Sequence, residues 1–304
     1  MKRVFTFGCS YTSYSWPTWA NFLELEFDEL HNYGLAGIGN QAIAERVAEA
    51  NARHQFTKDD VVIVQWSSHL RNDWWHQESM PGRTRGWKTY GSIFNYHNEK
   101  LYDQKWIDTF FYEPAYFMHT LNFISLTQGF LNGVGCKWYM TSIGDIREMG
   151  KDLRDKDGYG EKTDLVTQHK RGENYSAWDM LPDLKMYDKT IWQDHADHWL
   201  MPLELYCQTC TDQTFKFIDY TGTHYVDLHP SSVQHLGWIK QELTDKLQLS
   251  EDTLQRAQEL VDGLEPIYKK FMFDKTAFEF ALGRKQGFPE SANKITWPGI
   301  PLGF

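Results

Sequence analysis

The first apolar run, Val4-Phe5-Thr6-Phe7, is short, β-branched and aromatic, and it stops at Gly8, which predicts a buried strand. Pro17 then opens a helix through about Phe27, with Trp19, Phe22, Leu23 and Leu25 as its apolar positions. Residues 31–36 read as a second short strand. Gly37-Ile38-Gly39-Asn40 is a turn into an Ala-rich helix that ends near His54. Val61-Val62-Ile63-Val64 is a continuous apolar run of the kind found in a strand covered on both faces. A long helical stretch over residues 116–131 is closed by Gly133 and Gly135, and residues 137–143 follow as another strand. Strands alternating with helices predict an α/β fold, a parallel sheet with helices on both sides. In such sheets functional groups gather at the carboxyl ends of the strands. Here those loops are residues 8–15, 36–40, 66–75 and 142–147.

Further along, the periodicity weakens. Residues from about 145 to 210 are charged and rich in Asp, Trp and Tyr, and read as a cap or long loop inserted over the sheet. Residues 215–220 are expected to be the last strand and 232–247 a closing helix, with Leu236, Ile239, Leu243 and Leu247 at helical spacing. Ser250 is placed to N-cap a helix whose Leu254, Ala257, Val261 and Leu264 share one face. The tail, residues 295–304, holds Pro298, Gly299, Pro301 and Gly303 and is expected to be extended. The chain therefore divides into a domain over 1–248 and a helical, Pro-rich extension over 249–304.

Composition narrows the function by exclusion. The 304 residues carry 41 acidic against 31 basic side chains, a net charge of −10 with histidines neutral, which argues against a binder of phosphate backbones. No apolar run approaches the roughly 20 residues that a membrane-spanning helix needs. Lys2 and Arg3 precede an apolar segment too short for a signal peptide, so synthesis and first folding inside a cell are expected. The four cysteines, Cys9, Cys136, Cys207 and Cys210, are too few for a disulfide framework. Cys207 and Cys210 make a single CxxC, half of a zinc site at most. Aromatic residues make up 16% of the chain, including 13 Trp, and supply flat faces of the kind that stack on sugars.

The chemistry-bearing residues fall on the predicted strand ends. Ser10 follows the first strand, and Asp227 and His229 follow the last. A hydroxyl, an imidazole to take its proton and a carboxylate to orient the imidazole are the parts of a nucleophilic site. Gly37, after the second strand, is placed to offer a backbone N–H to an oxyanion.

With these pieces the chain resembles the SGNH (GDSL-type) hydrolases. The resemblance rests on Phe7-Gly8-Cys9-Ser10-Tyr11-Thr12, Asn32-Tyr33-Gly34-Leu35-Ala36-Gly37 and Asp227-Leu228-His229-Pro230. The fuller pattern, with Trp16-Pro17-Thr18-Trp19, Gly37-Ile38-Gly39-Asn40 and Val64-Gln65-Trp66-Ser67, is similar to a divergent SGNH group found in marine bacteriophages. The resemblance to the SGNH family as a whole implies a three-layer sandwich around a five-stranded parallel sheet, and ester hydrolysis, with neither cofactor nor metal expected. The acyl-enzyme would form on Ser10, with His229 as base, Asp227 as its partner, and the Ser10 and Gly37 N–H groups in the oxyanion hole. The substrate it suggests is an acylated polysaccharide or a small ester, with Trp74 and Trp75 as candidate sugar contacts.

Three positions depart from that pattern. Cys9 stands where the family has Asp. Gln65-Trp66-Ser67-Ser68 replaces the Gly-x-Asn-Asp block that supplies a third oxyanion donor, leaving Ser67, Ser68 or Asn40 as substitutes. Asp-x-His replaces Asp-x-x-His. These departures keep open an alternative, a catalytically weak SGNH-fold virion or attachment protein whose extension docks on virion subunits, or a glycan-binding module. Plain readings also stand beside the chemical ones: Ser10 as a helix cap, Asp227 as an Asx turn, Cys9 as a rival nucleophile. Asp155-Lys156-Asp157-Gly158 fails as a calcium loop, because Leu153 would occupy its first ligand position. In Asp194-His195-Ala196-Asp197-His198 a solvated turn competes with a metal pair.

Overall fold

The computed structural model describes residues 2–76, 86–93, 102–147, 185–210, 216–218, 224–227 and 229–271. Its centre is a parallel sheet of four strands, β1 (Arg3–Gly8), β2 (Glu29–Gly34), β3 (Val61–Trp66) and β6 (Lys137–Ser142), in the order β2-β1-β3-β6. The chain steps outward from β1 to β2 and then returns past β1 to β3. The carboxyl ends of β1 and β3 therefore flank the point where the winding reverses, the usual crevice of open parallel sheets.

Alternation along the strands builds a core on each face. Phe5, Phe7, Val62, Val64, Trp138 and Met140 point to one side. There they meet Ala42, Ile43, Val47 and Ala50 of α2 (Asn40–His54) and Phe117, Leu121, Ile124 and Leu131 of α4 (Glu113–Val134). Val4, Val61, Ile63 and Tyr139 point to the other, against Trp19 of α1 (Trp19–Phe22) and Leu236, Trp238 and Ile239 of α6 (Ser232–Glu242). The α/β class read from the sequence is thus observed, as helix, sheet and helix layers.

The expected fifth strand differs. Within the predicted 215–220 segment, β7 (Lys216–Ile218) pairs antiparallel with β8 (His224–Val226) in a separate ribbon. The position beside β6 is taken by a single parallel bridge from Trp199 to Met140, with the Leu200 N–H donating to the Met140 carbonyl at 2.9 Å. Pro202, two residues later, has no N–H to extend that ladder. A second difference is a hairpin, β4 (Arg71–His76) with β5 (Gly86–Ser92), whose first strand begins inside the 66–75 stretch expected to be a loop. Further short helices include α3 (Gln104–Phe110) and α5 (Leu203–Gln208), and Ile191 of the helical turn Asp188–Gln193 joins the first core.

Beyond α7 (Thr244–Leu247), the Ser250 hydroxyl caps α8 (Glu251–Asp262), accepting the Thr253 N–H at 3.2 Å. Ala257 and Val261 of α8 join the second core, so the start of the extension packs on the sheet domain. A last helix, α9 (Glu265–Phe271), follows. Most of the inserted cap (148–184), the rejected calcium loop and the Pro-rich tail (295–304) lie outside the described residues. Among the described residues no helix is long and apolar enough to cross a membrane.

Candidate active site

Ser10 stands two residues past β1 in a tight turn, in which the Cys9 carbonyl accepts the Thr12 and Ser13 N–H groups at 2.9 and 3.1 Å. Thr12 anchors this turn in the fold. Its hydroxyl donates to Gln65 Oε1 of β3 at 2.8 Å, and its carbonyl accepts from the Thr18 hydroxyl and Asn32 Nδ2 at 2.6 and 3.0 Å. Gly8 is required beneath it, because a Cβ there would collide with Thr12 Oγ1. The turn sends neighbouring side chains in opposite directions. Cys9 is fully buried in the first core, whereas Ser10, 6% exposed, faces His229. Cys9 thus has no path to a substrate from this conformation.

The three residues singled out as a triad converge although 217 positions separate Ser10 from Asp227. Ser10 Oγ lies 2.8 Å from His229 Nε2, and His229 Nδ1 lies 2.6 Å from Asp227 Oδ1. With Nδ1–H donating to the carboxylate, Nε2 is left as the acceptor for the serine hydroxyl, the arrangement a general base needs. The irregular Asp-x-His spacing is accommodated because Asp227 Oδ1 also accepts the backbone N–H of His229, at 3.0 Å. The imidazole is 27% exposed along its side chain, open enough to meet a substrate.

Donors for an oxyanion are backbone groups. Gly37 sits at φ +80°, and the Ile38 N–H donates to the Leu35 carbonyl at 3.2 Å, which matches a type II turn with glycine at its third residue. The N–H groups of Ser10 and Gly37 have no acceptor among the described residues. The Asn40 side chain is used elsewhere: Nδ2 donates to the Ser67 carbonyl and to Thr120 Oγ1 at 3.0 and 3.1 Å, and Oδ1 accepts the Ser67 N–H at 2.8 Å. Asn40 and Ser67 therefore form a buried clamp between α2 and the end of β3. Ser68 Oγ accepts the Leu70 N–H at 3.1 Å, which leaves its own hydroxyl hydrogen to donate.

Asp73, in the stretch that follows the substituted block, caps α2 from another element. Its carboxylate accepts the Gly39 and Ala42 N–H groups at 2.8 and 3.2 Å. Burial pushes its carboxyl up to about 6, against the lowering effect of those two N–H groups. The adjacent Trp74 is 44% exposed, with its indole N–H donating to the Tyr102 hydroxyl at 2.8 Å. The side chain of Trp75 lies outside the described residues, as does that of Trp87. Of the His195/His198 pair, His198 stacks on Trp138 at 3.9 Å and its Nδ1 meets the Trp138 carbonyl at 2.8 Å, while His195 lies edge-on to the same ring. Among the described residues no group of three or more His, Cys, Asp or Glu is arranged to hold a metal ion, and Cys207 and Cys210 are free thiols.

No family model, curated protein or solved structure matches this chain.

Two residues near the triad carry no sequence signal of their own. Tyr14 donates its hydroxyl to Asp227 Oδ2 at 2.9 Å and stacks on the His229 ring. His235, on α6, is completely buried, and its Nδ1 has no partner among the described residues. Burial first, then the neighbouring His229, pushes His235 down to about 3. Its folded form thus refuses a proton that the unfolded chain accepts below about pH 6.5. Stability is fully present above that pH and falls as the pH drops toward 3. At pH 4 the loss from this residue is on the order of 3 kcal/mol. Urea unfolding at pH 7 and pH 4 should show a smaller acid loss in His235→Leu than in the parent.

Proposed function

We propose that the protein is a serine ester hydrolase of the SGNH type that removes acyl groups from an acylated carbohydrate or a small ester. The observation that carries this reading is the continuous Ser10–His229–Asp227 hydrogen-bond chain, with distances of 2.8 and 2.6 Å, at the carboxyl edge of the sheet. In the first step Ser10 Oγ bonds to the ester carbonyl carbon and His229 Nε2 takes the hydroxyl proton. The carbonyl oxygen becomes an oxyanion, stabilised by the Ser10 and Gly37 N–H groups. As the carbon–oxygen bond to the leaving alcohol breaks, His229 returns the proton to it, and an acyl-Ser10 remains. A water molecule, deprotonated by His229, then attacks the acyl carbon. The acid leaves, and Ser10 regains its proton from His229.

The carbohydrate half of the reading rests on Trp74, whose exposed indole sits beside the Asp73 link to the Gly39 backbone, two residues from Gly37. A flat, exposed aromatic face suits a sugar ring. The wild type should release acetate from an acetylated polysaccharide and hydrolyse p-nitrophenyl acetate. Trp74→Ala should raise KM for the polymer by ~10-fold, the loss of one stacking contact worth about 1.4 kcal/mol. Failure of the wild type to hydrolyse either ester overturns the reading.

One observation favours a non-catalytic alternative, a virion or glycan-attachment role on the same fold. The Asn40 amide, a candidate third oxyanion donor, is spent on Ser67 and Thr120. Losing one such donor costs about 2.7–4 kcal/mol of transition-state stabilisation. Glycan binding without acetate release would support this alternative.

A further inference from the structure

The triad leaves one feature of its own geometry unexplained. Both bonds from His229 to the carboxylate, the backbone N–H and Nδ1–H, end on Asp227 Oδ1. The plane of a carboxylate sets the direction in which it receives the imidazole N–H, so what holds Oδ2 bears on where His229 points. The second oxygen is held from the serine loop. Tyr14, on the serine loop, donates its hydroxyl to Asp227 Oδ2 at 2.9 Å. The same ring lies flat against the His229 imidazole, with centroids 3.7 Å apart and planes inclined by 17°.

Tyr14 is itself fixed. Its ring meets Trp16 edge-on at 4.5 Å, and the Trp16 indole N–H donates to the Pro230 carbonyl at 2.9 Å. The serine loop and the histidine loop are therefore joined at Tyr14–Asp227 and at Trp16–Pro230 as well as at the reacting pair. Tyr11 closes a further side, edge-on to His229 at 5.5 Å.

We propose that Tyr14 is a positioning residue of the active site: its hydroxyl fixes the plane of the Asp227 carboxylate, and its ring holds the His229 imidazole in the plane that points Nε2 at Ser10. This deepens the hydrolase reading and rests on it. Two physical consequences follow. First, a donor on each carboxylate oxygen opposes rotation about the Cβ–Cγ bond, so the tautomer that accepts the serine proton is held. Second, when Nε2 takes that proton, the imidazolium forms against the π-face of the tyrosine, where a cation is attracted by the ring quadrupole. The first consequence needs the hydroxyl, and the second needs only the ring.

A tyrosine that merely satisfies its hydroxyl in a buried setting would be felt in stability alone. Tyr14→Phe keeps the ring and removes the hydroxyl, and Tyr14→Leu removes both. Steady-state hydrolysis of p-nitrophenyl acetate should show kcat lowered ~10-fold in Tyr14→Phe and ~100-fold in Tyr14→Leu, with KM within about twofold of the wild type, as expected for the loss of charge-assisted contacts that matter in the transition state. A second readout does not depend on turnover. The wild type should give a far-downfield proton resonance for His229 Nδ1–H, assigned by its absence from His229→Gln, which broadens or moves upfield in Tyr14→Phe. If the wild type hydrolyses no ester, this resonance still decides the proposal, so its failure and the failure of the hydrolase reading remain distinguishable. An unchanged resonance in a folded Tyr14→Phe, or a kcat equal to that of the wild type, overturns it. Tyr14→Phe decides alone should Tyr14→Leu not fold.

Discussion

Ser10→Ala should lower kcat/KM for p-nitrophenyl acetate by ~10⁴–10⁶-fold, with little change in stability. The scale follows from how triads behave: once the nucleophile is gone, only the oxyanion donors and substrate binding remain to accelerate attack by water. Stability should hold because the Ser10 hydroxyl bonds only His229 Nε2 among the described residues, and no core contact depends on it. Non-additivity provides an internal check. The double variant Ser10→Ala, His229→Ala should be scarcely slower than Ser10→Ala alone, since the imidazole has no serine proton left to take. Cys9 is not expected to rescue activity, because its thiol is sealed in the core below the sheet edge.

The second large effect belongs to Asp227. Asp227→Asn should preserve the fold and lower kcat by ~10³–10⁴-fold. Asp227 Oδ1 accepts Nδ1–H of His229, and Oδ2 accepts the Tyr14 hydroxyl. An amide has one oxygen and one NH₂ for these two places. If the oxygen stays with His229, the NH₂ confronts the Tyr14 hydroxyl, which must turn away. If the oxygen goes to Tyr14, the NH₂ faces Nδ1 and forces the tautomer that carries its proton on Nε2, which is unable to deprotonate Ser10. Comparing Asp227→Asn in the wild-type and Tyr14→Phe backgrounds separates the two. Removing the tyrosine hydroxyl should relieve the conflict and recover part of the lost rate.

The strand ends that carry the site were legible in the sequence because they are the chain's most regular parts. Val4–Phe7 and Val61–Val64 are apolar on both faces, and each is closed by a residue that ends the run, so the positions of Ser10 and of the block at Ser67 followed directly. The α2 helix was legible for its alanines and for the glycine turn before it. The fifth strand was not. Residues 215–220 carry Phe215, Phe217, Ile218 and Tyr220 and look like a strand, whereas the segment beside β6, Trp199-Leu200-Met201-Pro202, has a proline that hides its single bridge. The β4–β5 hairpin was hidden for the opposite reason. Arg71-Asn72-Asp73-Trp74 has no apolar alternation, and it is held from outside by the Asp73 carboxylate on α2 and the Trp74 indole on Tyr102.

Within the site the same distinction holds. Ser10 was legible because it stands next to the end of β1, and Asp227 and His229 because their residue types have few other reasons to stand together; the strand they follow, β8 (His224–Val226), was not. The role of Asn40 was misleading, since a polar residue at a helix start offers an amide without revealing where it points. Tyr14 was invisible: nothing in Ser13-Tyr14-Ser15 marks a residue whose partner lies 213 positions away. Contacts of that kind exist only after the two loops have been brought to one edge of the sheet.

The central claim is that Ser10 attacks the acyl carbon. It is tested most directly by quenching the wild type during turnover of p-nitrophenyl acetate and locating the acyl group by peptide mass spectrometry. One acetyl group on Ser10, absent from Ser10→Ala and greatly reduced in His229→Ala, is the predicted result. Turnover by the wild type with Ser10 unmodified, and equal turnover by Ser10→Ala, would contradict it.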